Sequence, residues 1–234
     1  SGGLTVDKAI IVTVTDANDA PTFTTTTTTH QAAENQTSVV VIAGADEDGQ
    51  TVTYSISGGV DKDLFQIDAA TGVLTFKTAP NYESSSAVSG LNDYLVEITL
   101  TDDNDPVATS TNPLALTIQV TDVNDSPVIT TTAAIAVNEE KTAVATIAAT
   151  DEDSGDTVTF SITGGADRDH FAIDSSSGAL TFSSAPSFEN PLDADTLNDY
   201  VVEVTATDSS NATATTEFTV SVTDINDFPK ITNG

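Results

Sequence analysis

Asp122-Val123-Asn124-Asp125-Ser126-Pro127 decides how this chain is read, because the pattern occurs three times. Asp16-Ala17-Asn18-Asp19-Ala20-Pro21 stands 106 residues before it, and Asp224-Ile225-Asn226-Asp227-Phe228-Pro229 stands 102 residues after it. A period near 100 residues is that of tandem domains of ordinary size. Outward from the middle copy, the two long intervals align almost throughout. Glu34 matches Glu139, Asp46-Glu47-Asp48 matches Asp151-Glu152-Asp153, and Glu83 matches Glu189. Phe65-Gln66-Ile67-Asp68 matches Phe171-Ala172-Ile173-Asp174, and Leu91-Asn92-Asp93-Tyr94 through Asp102 matches Leu197-Asn198-Asp199-Tyr200 through Asp208.

Within each interval, β-branched residues alternate with others, as in Thr51-Val52-Thr53-Tyr54-Ser55-Ile56, and Gly, Asn and Asp punctuate the runs. That is the pattern of short antiparallel strands, and no stretch holds a helical apolar period over three turns. The expected fold is all-β: two tandem seven-stranded Greek-key sandwiches of immunoglobulin-like architecture, over 21–125 and 126–228, in an extended arrangement. Val96, Ile98 and Leu100, and Val202, Val204 and Ala206, should face the inter-sheet core, and Gly72 and Gly178 should sit in tight turns. Lys8 to Asp16 copies the last strand of a repeat, Leu114 to Asp122. Residues 1–20 therefore read as the last strand and linker of a preceding repeat, and 229–234 as a tail towards a following one. The chain reads as a piece of something longer. The lone strand is expected to be mobile or to pair with an exposed edge of another chain.

Composition excludes several functions. With 36 acidic against 6 basic residues the net charge is −30, which argues against binding nucleic acid or anionic lipid. There is no Cys, so disulfides and thiolate metal sites are excluded. No run of 18 apolar residues offers a membrane span, and no signal peptide is evident. The two histidines, His30 and His170, fall at non-corresponding positions of the repeats, no Ser or carboxylate arrangement recruits them, and both read as surface residues. No nucleophile–base pair stands out, and the chain does not read as an enzyme.

The acids recur in register, at matching positions in both repeats and at all three linkers. A merely solvating surface needs no such register, whereas Ca²⁺ needs about 6–8 oxygen ligands gathered from several segments. The EF-hand alternative fails, because the loop starting at Asp151 has Asp156 where Gly is required and Ile162 where Glu is required. Asp61-x-Asp63 and Asp167-x-Asp169 also recur, and read as turn residues rather than ligands. Asp102-Asp103-Asn104-Asp105-Pro106 imitates a linker but reads as a hairpin loop.

Over residues 22–229 the sequence resembles the cadherin repeats, in a form like those of large bacterial surface proteins. The resemblance rests on the Asp-x-Asn-Asp-x-Pro linkers, the acid-x-acid pairs, Phe-x-Ile-Asp-x-x-[Thr/Ser]-Gly-x-Leu, and Tyr-x-Val-Glu-[Ile/Val]-Thr-x-Thr-Asp. It implies Ca²⁺ between successive repeats. The complete junction would draw on Glu34, Glu83, Asp122, Asp125, Asp151, Asp153 and Asp208, with backbone carbonyls of Val123 and Asn124. Those seven carboxylates nearly balance three Ca²⁺. An N-terminal half-site would use Asn18, Asp46, Asp48 and Asp102, and a C-terminal one Glu139, Glu189, Asp224, Ile225 and Asp227. Ser126 departs from the family's usual Asn, and Asn81 and Ser187 replace an Asp, which weakens the outermost ion. The resemblance further implies an extracellular or cell-surface protein, a Ca²⁺-stiffened spacer in cell adhesion with neighbouring repeats as partners. The alternative is a calcium-dependent binding module for carbohydrate or another cadherin-like chain.

Overall fold

The structure is a computed structural model describing residues 2–103 and 107–226. Asp227, the tail at 229–234 and Asn104 to Pro106 lie outside the described residues. The chain forms two compact units that divide between Val123 and Asn124, inside the linker motif.

The first unit contains β1 (Thr22–Phe23), β2 (Thr29–Ala33), β3 (Ser38–Val41), β4 (Gly44–Ala45), β5 (Thr53–Gly58), β6 (Phe65–Ile67), β7 (Val73–Phe76), β8 (Asp93–Thr101) and β9 (Leu114–Thr121). Seven of these make the two sheets of a sandwich, β2-β9-β8-β5 and β3-β7-β6, while β1 and β4 form a separate two-residue ribbon. The second unit repeats the plan with β10 (Val128–Ile129), β11 (Ala134–Asn138), β12 (Ala143–Thr146), β13 (Ala149–Thr150), β14 (Thr159–Gly164), β15 (Phe171–Ile173), β16 (Ala179–Phe182), β17 (Asp199–Thr207) and β18 (Thr213–Thr223). Its sheets are β11-β18-β17-β14 and β12-β16-β15, with the ribbon β10-β13. The seven-stranded sandwich expected from the repeat is thus present twice, with a short ribbon added. Most pairs are antiparallel, but β2 runs parallel to β9 over five residues, and β11 parallel to β18.

Alternation along the strands fills the cores as expected. Val96, Ile98 and Leu100 are buried, as are Val202, Val204 and Ala206. In the first unit Phe65 lies against Phe76 and both present ring edges to Tyr94; Phe171, Phe182 and Tyr200 repeat the arrangement in the second. Gly72 and Gly178 take φ of 70° and 68°, and a Cβ at either would strike the carbonyl oxygen of Ile42 or Ile147. Only glycine satisfies both conditions.

Asp61 and Asp167 are more than turn residues. Both are buried, and each carboxylate bridges two backbone amides: Asp61 accepts from Val88 and Leu95, Asp167 from Ala194 and Val201. Each therefore ties the segment before β8 or β17 to the strand itself. The histidines are half-buried: His30 Nε2 lies 3.0 Å from the Thr27 carbonyl oxygen and His170 packs edge-on to Tyr200. Residues 2–20 form no strand, and Leu4, Val6, Ile10, Ile11, Val12 and Val14 are exposed, as befits a segment without a ladder to join.

Candidate metal centre

Each unit carries acids at two ends, organised by backbone amides. At the end of the second unit where its chain begins, Asn124 donates from Nδ2 to Asp208 Oδ2 at 2.9 Å. The Asp125 amide donates to Asp153 Oδ2 at 2.7 Å, and the Asp153 amide to Asp151 Oδ1 at 3.0 Å. Asp208, buried at the end of β17, also accepts the Ser210 and Ala212 amides at 2.8 Å. The first unit has the same chain of contacts: Asn18 Nδ2 to Asp102 Oδ2, the Asp19 amide to Asp48, and the Asp48 amide to Asp46. The linker residues thus fold back onto the acids that follow them.

The opposite ends are also alike. In the first unit Glu34, 2% exposed, follows β2 and accepts the Val123 amide at 2.8 Å on one oxygen and the Tyr82 amide at 2.6 Å on the other. In the second, Glu139 follows β11 and accepts the Ile225 and Phe188 amides at 3.0 and 2.9 Å. Carboxylate oxygens of Glu139, Glu189 and Asp224 lie within 4.8 Å of one another. Glu189 and Asp224 are exposed, as are their counterparts Glu83 and Asp122. Ser187, standing where the family has Asp, donates its hydroxyl to Glu189 at 3.2 Å.

The amides have an electrostatic consequence. The Phe188 amide, with that of Ile225, holds the Glu139 carboxyl below the usual glutamate range. The Asn124 side chain, with the backbone amides after Asp208, holds Asp208 below the usual aspartate range. Both are therefore fixed as anions.

Whether a calcium ion suits these residues is tested by the oxygens left over. Asp46 Oδ2 and Asp151 Oδ2 occupy matching positions, both are shielded from solvent, and neither meets a hydrogen-bond donor. A shielded, donorless carboxylate oxygen is costly unless a cation faces it. The donor set is all oxygen, the choice of a hard cation such as Ca²⁺ rather than of zinc or copper. The residues fit the ion.

Each sequence-predicted acid in the described residues stands at an end of a unit. Five contributions were not foreseen. Asp19 and Asp125 act through their amides, Tyr82 and Phe188 likewise, and Asp156 joins Asp151 and Asp153 in a cluster within 4.8 Å. The amides leave no trace in side-chain identity. Asp156 was legible only as the residue that spoils an EF-hand.

Residues 131–223 match the family model described as the cadherin domain. Over that stretch the second unit is similar to a cadherin domain. The whole chain is similar to cadherins: 33% identical over 249 residues to mouse cadherin EGF LAG seven-pass G-type receptor 2, covering 99% of this chain and 8% of that protein. It is 30% identical over 244 residues to human cadherin-23, covering 95% of this chain and 7% of that protein. The chain thus spans less than a tenth of the length of these curated relatives. The crystal structure of human protocadherin-24 EC1-2 shares the fold, with a TM-score of 0.54 at 23% identity, over 89% of this chain and 100% of that one. Among the described residues, no helix of these cadherin-like units is long and apolar enough to cross a membrane.

Proposed function

We propose that this chain is a calcium-binding pair of cadherin-like repeats from an extracellular adhesion protein, acting as a spacer that Ca²⁺ stiffens. The observation carrying the reading is the twofold recurrence of one polar arrangement, with the donorless oxygens of Asp46 and Asp151 at the same place in each copy. In this reading Glu34, Glu83, Asp122, Asp125, Asp151, Asp153 and Asp208 hold the ions of the complete junction, with carbonyls of Val123 and Asn124. Asn18, Asp46, Asp48 and Asp102 are one half-site; Glu139, Glu189, Asp224, Ile225 and Asp227 are another. Bound Ca²⁺ supplies the positive charge that lets these carboxylates sit together. The chain's own contribution is orientation. The amides of Val123 and Tyr82 aim Glu34, those of Phe188 and Ile225 aim Glu139, and the Asp125 amide aims Asp153.

Without the ion the carboxylates repel and the short linker bends; with it they are cross-bridged. Extracellular modules of this kind bind calcium at about 10⁻⁴–10⁻³ M, within reach of millimolar calcium outside a cell. Small-angle scattering tests the spacer. The maximum dimension should grow when calcium replaces chelator, and an unchanged profile sinks the mechanism. Asp125→Ala should lower calcium binding in a calorimetric titration. We assign the parent protein to the surface of a bacterial cell from the sequence resemblance alone. Recovery of the gene from a eukaryotic genome with introns would remove that assignment.

A further inference from the structure

The segment leading into β8 or β17 differs sharply between the units at one place. The first unit has Ala87-Val88-Ser89-Gly90 where the second has Asp193-Ala194-Asp195-Thr196. The surrounding frame is unchanged: the Val88 and Ala194 amides donate to Asp61 and Asp167 at 2.7 Å in both. Ala87 is 7% exposed and Asp193 4%, so a carboxylate is buried where the other copy buries a methyl group. Asp193 Oδ2 accepts the Leu197 amide at 2.9 Å, but Oδ1 is shielded from solvent and meets no donor. The Asp195 carboxyl lies against Asp193 and accepts the same Leu197 amide at 3.1 Å, and Asp167 adds a third negative charge nearby. Among the described residues no Lys or Arg forms an ion pair with Asp193 or Asp195.

The Leu197 amide is shared by the two carboxylates, and the buried Asp193 Oδ1, left without a donor, calls for a cation. We propose that Asp193 and Asp195 form a calcium site of their own in the second unit, distinct from the acids at its two ends. The donors are all hard oxygens, and the exposed position of Asp195 leaves one side of the ion open to water ligands, which suits Ca²⁺ at modest affinity. The site has no counterpart in the first unit, where Ala87 and Ser89 offer no charge.

The test follows the Leu197 amide by NMR as the full chain is titrated with CaCl₂ at neutral pH. Leu91, at the matching position of the first unit, is the internal control. The Leu197 resonance should shift saturably with its own midpoint, which Leu91 does not share. Asp195→Ser, at an exposed position that the first unit fills with Ser89, should raise that midpoint about tenfold or abolish the shift. Asp193→Ala, which restores the first unit's Ala87, should lower the calcium bound per chain by one ion in equilibrium dialysis. Three results would overturn the site: Leu197 tracking Leu91, a calcium count untouched by both substitutions, or a Leu197 shift driven by pH alone, which would mean the pair shares a proton.

Discussion

The first unit has Gln50 where the second has Asp156, Ala87 where it has Asp193, and Gly90 where it has Thr196. Everything that builds the frame is the same in both: the aromatic triad, the buried Asp61 or Asp167, the parallel pairing and the glycine of the tight turn. At these three positions what differs is charge and local strain. Gln50 Oε1 and Asp156 Oδ2 are each shielded and without a donor, so the two residues reach into equivalent surroundings, one neutral and one anionic. Thr196 holds φ at 61° and Gly90 at 69°, the same backbone turn with and without a β-branched side chain. Asp193 is buried in a place the first unit gives to Ala87. One fold therefore tolerates two electrostatic designs, because the frame does not depend on these positions.

The shared frame breaks most readily at its buried carboxylates. Asp61→Ala and Asp167→Ala each strand two backbone amides, and each should cost its own unit about 2–4 kcal/mol. Scanning calorimetry should show comparable losses, and a loss in one unit alone would mean the frames are not equivalent. Next come the ends. Asp48→Ala and Asp153→Ala should each weaken calcium binding about tenfold or more in calorimetric titration.

Thr196→Gly should stabilise the second unit by about 1 kcal/mol, by relieving a left-handed β-branched residue, and Gly90→Thr should destabilise the first by a similar amount. Chemical denaturation followed by circular dichroism reads both. The exchange of Asp156→Gln for Gln50→Asp sharpens the electrostatic contrast. The former should weaken calcium binding in the second unit and the latter strengthen it in the first, each by about threefold.

The smallest effect is expected with acid. The Thr71 hydroxyl and amide, with the Ala70 amide, hold Asp68 below the usual aspartate range, and the Ser177 amide and hydroxyl, with the Ser176 amide, do the same for Asp174. A depressed folded value means the contribution is complete above the ordinary aspartate pKa of about 3.9 and is lost as pH falls through the folded value. Asp68→Asn and Asp174→Asn should therefore flatten the acid limb of the stability profile, equally in both units, and leave neutral pH behaviour otherwise unchanged in slope.

Much of this was legible in the sequence. Period-two alternation placed Val96, Ile98 and Leu100 in the core, since strand geometry leaves alternate residues no other face. The linker motif placed the acids, since register between repeats is visible in letters alone. The role of Asp61 and Asp167 was not legible: a turn aspartate and a buried bridge between two amides have the same spelling, and only the fold decides which amides arrive. The same holds for the Tyr82 and Phe188 amides, which any non-proline residue could supply. The contact of His170 with Tyr200 was not legible either, because the two lie thirty positions apart in sequence and meet only in the fold.

The parallel pairing of β2 with β9, and of β11 with β18, bears on how such a unit behaves under tension. The chain enters each sandwich through the earlier of these strands and leaves through the later. A pull on the two ends draws the pair in opposite directions along their common axis. The five paired positions from Thr29 to Ala33 are then loaded side by side, in shear, and must give way together rather than open one after another. Each unit is latched by its own first and last long strands, so the path by which force enters is also the contact that resists it.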